Sequence, residues 1–534
     1  MRQLIYLAAL FVFLGSHAQE DAWVYFVDKQ NVEASIANPL TILSQASVNR
    51  KNAKGISIDE RDVPVNEAYI SQIKTATGVS VMAKSKWLNA IHVRGEADDI
   101  NALANAFAFI NFIDFADDNL NTAGRISVEN DKFSIENTTV SFNYGDTQNQ
   151  VEMIGVDQLH LDNFTGDGII IAVMDSGFPN VDTMGAFQRL RDNNDLLGGY
   201  DFVDRTENIF DFSANDHGTK VLSNMAGFIQ DEFVGTAPDA SYYVFRTEDV
   251  FSETPVEESY WVEAVERADS LGVDIINTSL GYRTYTNPNY THTAADLDGS
   301  STFITRGANI ANDKGILVVT SAGNSGSSGV GAPADGTGVF SIGAVNANGE
   351  YASFSSQGSE AQATLKPDIV AQGQGAAVVD DSNSIVNNNG TSFSSPIMAG
   401  GLASLWQALP DATNEEIKQY AKASASQFNN PDFFLGFGIP NLANALNIGL
   451  SVQEETFEKV TIFPNPVRDI LTIQIPSREA LNELNIVDLT GKIVMSLVLN
   501  QNATELDISG LAKGIYILNI QSGNVSSAFK LIKS

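Results

Sequence analysis

Hydrophobic and polar positions change their rhythm several times along the chain. An apolar run over residues 4–14 follows Arg2 and ends in Gly15-Ser16-His17-Ala18. It falls short of the roughly 18 residues a membrane helix needs, so the pattern predicts a signal peptide over 1–18, cut after Ala18. No later apolar run reaches a membrane-spanning length. Residues 23–27 and 90–94 alternate like strands and 98–109 has helical spacing, while the polar stretch after Asp117 reads as a linker. Further on, short apolar runs at 168–175, 274–281 and 316–324 alternate with helix-like segments at 256–271 and 399–409. Continuous apolar runs suit strands buried on both faces, which predicts an α/β unit with a parallel sheet. After an acidic stretch at 453–458, strand-like runs recur at 470–475, 484–489, 492–499, 515–520 and 529–532, separated by turns such as Thr490-Gly491 and Lys513-Gly514. That pattern predicts a small antiparallel β-sandwich.

The expected organisation is a signal peptide (1–18), a small α+β unit with its linker (19–140), the α/β unit (141–447), a linker (448–458) and the C-terminal sandwich (459–534). Composition narrows the chemistry. The 534 residues include no cysteine, which excludes disulfides, thiol catalysis and cysteine-ligated zinc. The formal net charge is −34, and residues 141–447 alone carry −27 of it. Nucleic acids and anionic membranes select basic surfaces, so neither is expected as a partner. An acidic body of this kind is chiefly a soluble, self-repelling surface, with room left for cation sites.

Three short motifs lie at strand ends or helix starts of the α/β unit, where open parallel sheets place their sites. Asp175-Ser176-Gly177 follows the first buried run; alone it could be a simple turn. Asp216-His217-Gly218-Thr219 leads into a helix-like stretch over 221–228, with Asp216 a candidate helix cap. His160 and His292, the other histidines of this unit, lie in polar, irregular stretches, so His217 is the best-placed general base. Gly390-Thr391-Ser392 precedes Pro396 and a helix rich in small residues, which would let that helix press close to the sheet. A serine there is either a cap or a nucleophile whose oxyanion the helix N-terminus stabilises. Ser394 and Ser395 are rival hydroxyls expected to bond backward or point away. Asn324, in Ser321-Ala322-Gly323-Asn324, could donate to the same oxyanion or simply make a turn.

Taken together, these motifs resemble the signature of the subtilisin-like serine peptidases, the subtilases, with Asp, His and Ser in that family's chain order. The resemblance covers residues 141–447. It implies Ser392 as nucleophile, His217 as general base and then acid, Asp175 as the group orienting the imidazole, and Asn324 with the Ser392 backbone N–H as oxyanion hole. It also implies that Ser279, Leu280 and Gly281 pair with extended substrate backbone. Lys220 and Leu222 stand where the family often has His and Ala, and Phe393, Ser394 and Ser395 replace the commoner Met, Ala and Thr. Calcium is frequent in the family; no cofactor is required for the implied chemistry, a structural calcium is allowed for, and no aspartate-rich loop names its ligands.

The flanks fit the same picture. Residues 19–140 are similar in size and position to an inhibitory, chaperone-like propeptide, which makes the chain a zymogen and the propeptide its first partner. Phe463-Pro464-Asn465-Pro466, Leu489-Thr490-Gly491-Lys492, Gly514-Ile515-Tyr516 and the final Lys530-Leu531-Ile532-Lys533 resemble the sorting domain of the type IX secretion system. That implies the outer-membrane secretion machinery as a partner and a secreted or surface location. A carbohydrate-binding or adhesive sandwich is the alternative for this unit. For the whole chain, the expectation is a secreted serine endopeptidase acting on proteins or peptides. Its rivals are a catalytically silent binding protein, which predicts degraded triad positions, and a serine esterase, which predicts a Gly-x-Ser-x-Gly elbow where Gly-Thr-Ser-Phe-Ser stands.

Overall fold

The computed structural model describes residues 19–120, 142–455, 461–474, 482–488, 493–499, 503–522 and 525–534. The expected signal peptide, and the linker from 121 onward, lie outside the described residues. The chain divides into two compact units, at Ile448/Gly449.

The first unit opens with a four-stranded antiparallel sheet. Its strands are β1 (Glu20–Phe26), β2 (Val79–Ser85), β3 (Ala90–Gly95) and β4 (Ile110–Phe115), in the order β2-β3-β1-β4. Helices α1 (Gln45–Ala53), α2 (Glu67–Ile73) and α3 (Ala97–Ala106) belong to this part, with a shorter helix at Val32–Ala37. Alternation along β1 decides its two faces. Ala22, Val24 and Phe26 join a local core with Ile70, Ile73 and Ile100. Trp23 and Tyr25 point the other way and enter a core shared with the α/β part.

Seven parallel strands form the centre: β5 (Ile170–Asp175), β6 (Leu196–Asp201), β7 (Ser241–Arg246), β8 (Ile275–Thr278), β9 (Leu317–Ser321), β10 (Phe340–Val345) and β11 (Ile369–Gln372). Their order is β11-β10-β9-β8-β5-β7-β6. The chain starts in the middle at β5, builds β6 and β7 on one side, then crosses to build β8 to β11 on the other. The carboxyl ends of β5 and β8 therefore flank the point where the winding reverses, which is where ligands bind in such sheets. Ile171 and Val173 of β5 face a core shared with α4 (His217–Ala226) and α7 (Thr391–Ala408). Ala172 and Met174 face α5 (Val256–Leu271) and α6 (Phe303–Asp313).

One helix reading needs correction. Helix α7 starts at Thr391, eight residues before the expected 399. All its residues are buried, so no amphipathic stripe marks its start, and Pro396 reads as a break although it sits near the helix N-terminus. Its small residues also serve other neighbours than the sheet. A Cβ on Gly400 would stand 2.1 Å from Thr236 Oγ1, and one on Gly401 would stand 2.7 Å from Leu442 Cδ1.

The second unit holds two antiparallel sheets. Thr461–Phe463, Ile470–Gln474 and Ala503–Asp507 make one; Ile493–Leu499, Asn482–Asp488, Gly514–Ser522 and Val525–Lys533 make the other. Leu471, Ile473, Leu484, Ile486, Leu518 and Leu531 fill one core between them, as in a sandwich. The strands at 461–463 and 503–507 escape the sequence reading, the first because it is only three residues long and the second because it is mostly polar. A helix, Leu442–Glu455, runs through most of the stretch expected as a linker. Among the described residues, no helix is long and apolar enough to cross a membrane.

Candidate active site

Strand β5 ends in Asp175, whose carboxylate is fully buried. Its Oδ1 accepts the Ser176 backbone N–H at 2.7 Å and the His217 Nδ1–H at 2.8 Å. His217 is the first residue of α4, and the Asn215 side chain accepts its backbone N–H at 2.8 Å. Asn215 therefore does the capping expected of Asp216, which instead pairs with Lys220 one turn on at 2.7 Å. With Nδ1–H committed to Asp175, Nε2 is the basic nitrogen of the neutral ring. Burial disfavours the imidazolium, but the charge and hydrogen bond of Asp175 outweigh it and hold the His217 pKa above the ordinary value.

Ser392 sits in the first turn of α7 and is buried. Its backbone carbonyl accepts the Ser279 hydroxyl at 2.8 Å, and its own Oγ donates to the Ser279 carbonyl at 3.3 Å. The rival hydroxyls turn away. Ser394 Oγ bonds back to the Thr391 carbonyl at 3.1 Å, and Ser395 Oγ reaches Asn277 on β8 at 2.8 Å. Asn324 Oδ1 accepts both the backbone N–H and the hydroxyl of Thr391, at 2.9 and 3.0 Å. That orientation leaves Asn324 Nδ2 without a hydrogen-bond partner among the described residues. Phe393 lays its ring 5.8 Å from the His217 ring, at 46°.

Ser392 and Asn324 share the wall of a cavity of about 170 Å³ with Ser279, Leu280, Gly281 and Arg283. Five of the seven expected site residues share this wall, while Asp175 and His217 form a bonded pair that meets the Ser392 segment through the Phe393 ring. Among the described residues no cluster of three or more His, Asp or Glu side chains is arranged to hold a metal ion. The other histidines are better placed than their sequence surroundings suggest. His160 lies inside a short helix, Val156–Leu161, bonded to Tyr144 Oη at 2.9 Å and the Thr236 carbonyl at 3.1 Å; burial pushes its pKa down to about 4. His292 pairs with Glu258 of α5 at 2.7 Å, whose charge outweighs burial and raises its pKa.

The model of the subtilase family matches residues 166–438. The chain belongs to the subtilase family. Residues 21–133 of this subtilase match the peptidase S8 propeptide domain of Bacteroidota, and residues 461–534 match the secretion system C-terminal sorting domain. It is similar to subtilisin E of Bacillus subtilis (strain 168), 31% identical over 300 residues, which covers 55% of this chain and 70% of that protein. It is similar also to the thermostable alkaline protease of Halalkalibacterium halodurans, 30% identical over 296 residues, 55% of this chain and 72% of that one. The solved structure of MycP1 with its N-terminal propeptide removed aligns with 56% of this chain and 96% of its own, at 23% identity and a TM-score of 0.45. This subtilase is therefore a serine-peptidase family member made with an N-terminal propeptide. Its sorting domain gives it a secreted or cell-surface location.

Sequence reasoning missed Asn215, Thr391 and Arg283. Asn215 adjoins a motif and Thr391 stands inside one without its role being assigned, so a search for side chains that could orient the motif residues would have reached both. Arg283 carries no motif signal, because its place depends on a loop remote in sequence.

Proposed function

We propose that this subtilase is an endopeptidase that cleaves proteins through an Asp175–His217–Ser392 triad. The observation that carries the reading is the 2.8 Å Asp175–His217 hydrogen bond, set beside a serine in the first turn of a buried helix. Neutral His217 Nε2 takes the Ser392 proton as Oγ attacks the substrate carbonyl carbon. Asn324 Nδ2 and the Ser392 backbone N–H receive the oxyanion of the tetrahedral intermediate. The imidazolium, steadied by Asp175, gives its proton to the leaving amine, and water then cleaves the Ser392 ester by the same steps in reverse. Residues Ser279, Leu280 and Gly281 pair with the extended substrate backbone. This chemistry draws on protein groups alone; a calcium ion would bear on stability rather than on the bond-breaking step.

The precursor holds its propeptide domain against α5 and α6. Trp23 stacks on Phe303 with ring centres 4.6 Å apart and donates its indole N–H to Ser259 at 2.8 Å. Glu266 accepts the Ser85 hydroxyl and the Lys86 and Trp87 backbone N–H groups. Release of this domain, and export through the secretion machinery that reads the C-terminal domain, complete the reading.

One observation favours a catalytically silent binding protein: the Ser392 hydroxyl donates to Ser279 and not to His217. The peptidase reading requires this hydroxyl to turn from Ser279 to the imidazole, by rotation about its side-chain bond between staggered wells. A fluorophosphonate probe separates the two readings, because it reacts only with an activated serine. The expected adduct lies on the Ser392 peptide, and His217→Ala slows its formation by several orders of magnitude. No adduct, or one elsewhere, contradicts the proposal.

A further inference from the structure

We infer that Arg283 makes this subtilase select an acidic side chain, Asp or Glu, on the substrate residue whose carbonyl Ser392 attacks. The inference rests on the serine-peptidase reading above and adds a substrate class to it. Ser392 and Asn324 both line the 170 Å³ cavity, so a carbonyl held between them hangs its own side chain into that space. The rest of the wall is serine, glycine, alanine and one leucine; Arg283 is its only charged residue.

Most buried or half-buried arginines find a carboxylate; among the described residues Arg191, Arg306 and Arg283 do not, and of these three only Arg283 lines the cavity. The chain has 65 acidic against 31 basic residues, so partners abound. Arg50, Arg61, Arg94, Arg189, Arg205, Arg246 and Arg267 each sit within ion-pair reach of a carboxylate. Arg283 has no such partner among the described residues. Its Nη1 donates to the Ser328 carbonyl, which fixes the guanidinium and leaves most of its five N–H donors for a ligand. The local backbone makes room for it. Gly329 has φ +100°, and a Cβ there would come within 3.1 Å of Nη1. A larger residue would meet both the strain of that φ and the arginine itself.

A half-buried guanidinium fixed by a single backbone bond is poised for a carboxylate. Two parallel N–H···O bonds match the fork to an acidic side chain and are stronger than neutral ones. An apolar side chain filling the same space would strip water from the cation and return nothing, so the selection has a repulsive half as well. It also acts against the long-range field: a body of net charge −34 repels acidic substrates at a distance, and the pocket reverses that preference only at contact.

The test compares kcat/KM on two peptides that differ only in having Glu or Gln before the scissile bond, using the processed enzyme. The expected Glu-to-Gln ratio is about tenfold or more. Arg283→Gln brings that ratio to about one, and Arg283→Lys keeps part of it. Ratios are taken within each protein, so partial loss of folded enzyme cancels. A wild-type ratio at or below one overturns the inference, as does a Glu preference that survives in Arg283→Gln. Cleavage by the wild type and none by Ser392→Ala keeps the serine-peptidase reading whichever peptide wins. No cleavage of either peptide or of an unstructured protein defeats that reading, and the inference falls with it.

Discussion

His217 sits between two opposing forces, and their balance sets a measurable pH. Burial favours the neutral ring, while Asp175 favours the imidazolium and prevails, so the pKa lies above the ordinary histidine value of about 6.5. The base must be neutral to accept the Ser392 proton. Activity is therefore lost as pH falls through this raised pKa, and the acid limb of kcat/KM has its midpoint above about 6.5. A flat profile between pH 4 and 9 contradicts this. Asn324 gives a second prediction. Its Oδ1 is tied to Thr391 and its Nδ2 is unspent, so Asn324→Ala should lower kcat about 100- to 1000-fold, a scale taken from subtilisin itself, with KM little changed. A loss below tenfold in steady-state kinetics contradicts the assigned role. The triad and Asn324 were legible as candidates because each lies in a short local motif at an element's end. Arg283 was not legible, since nothing near it in sequence announces the room that Gly329 makes.

The site depends on how closely α4 approaches the end of β5. A Cβ on Gly218 would stand 2.4 Å from the Gly177 carbonyl and 2.9 Å from the Asp175 Cβ. Both neighbours belong to the turn that carries the carboxylate, and neither can yield without moving it. Gly218→Ala should therefore cost about 1–3 kcal/mol of stability by overpacking and lower kcat/KM through the displaced Asp175–His217 pair. Thermal denaturation and steady-state kinetics together check this; a variant unchanged in both contradicts the packing argument. Strands β5, β8 and β9 were readable because both their faces are buried, which leaves continuous apolar runs, whereas β6, β7, β10 and β11 were not picked out, and β6 is only partly buried. Helix α7 hid its first turns for a related reason. A helix buried all round has no polar stripe, and its opening residues Thr391 and Ser392 are spent on the site rather than on packing.

Across the whole molecule, the propeptide domain is joined to the enzyme by charge as well as by Trp23. Lys51 and Arg50 converge on Asp269 of α5, and Lys314 meets Asp59 and Asp62. The charges of Lys51 and Arg50 overcome burial and hold the Asp269 carboxyl below its ordinary pKa. These partners are far apart in sequence, so their pairing could not be read from it, whereas the size and position of the domain could. Buried pairs of this kind hold only while complete, because removing one member strands the other. A tightly seated domain that must later leave is the behaviour of a zymogen, and it leads to the measurement that tests the account most directly. Purified precursor and its Ser392→Ala variant are followed by intact mass, with and without an unstructured protein substrate. The account predicts that the wild type sheds its N-terminal domain and cuts the substrate, while the variant does neither. Equal behaviour of the two proteins, whether both are processed or both stay inert over days with and without calcium, would contradict it.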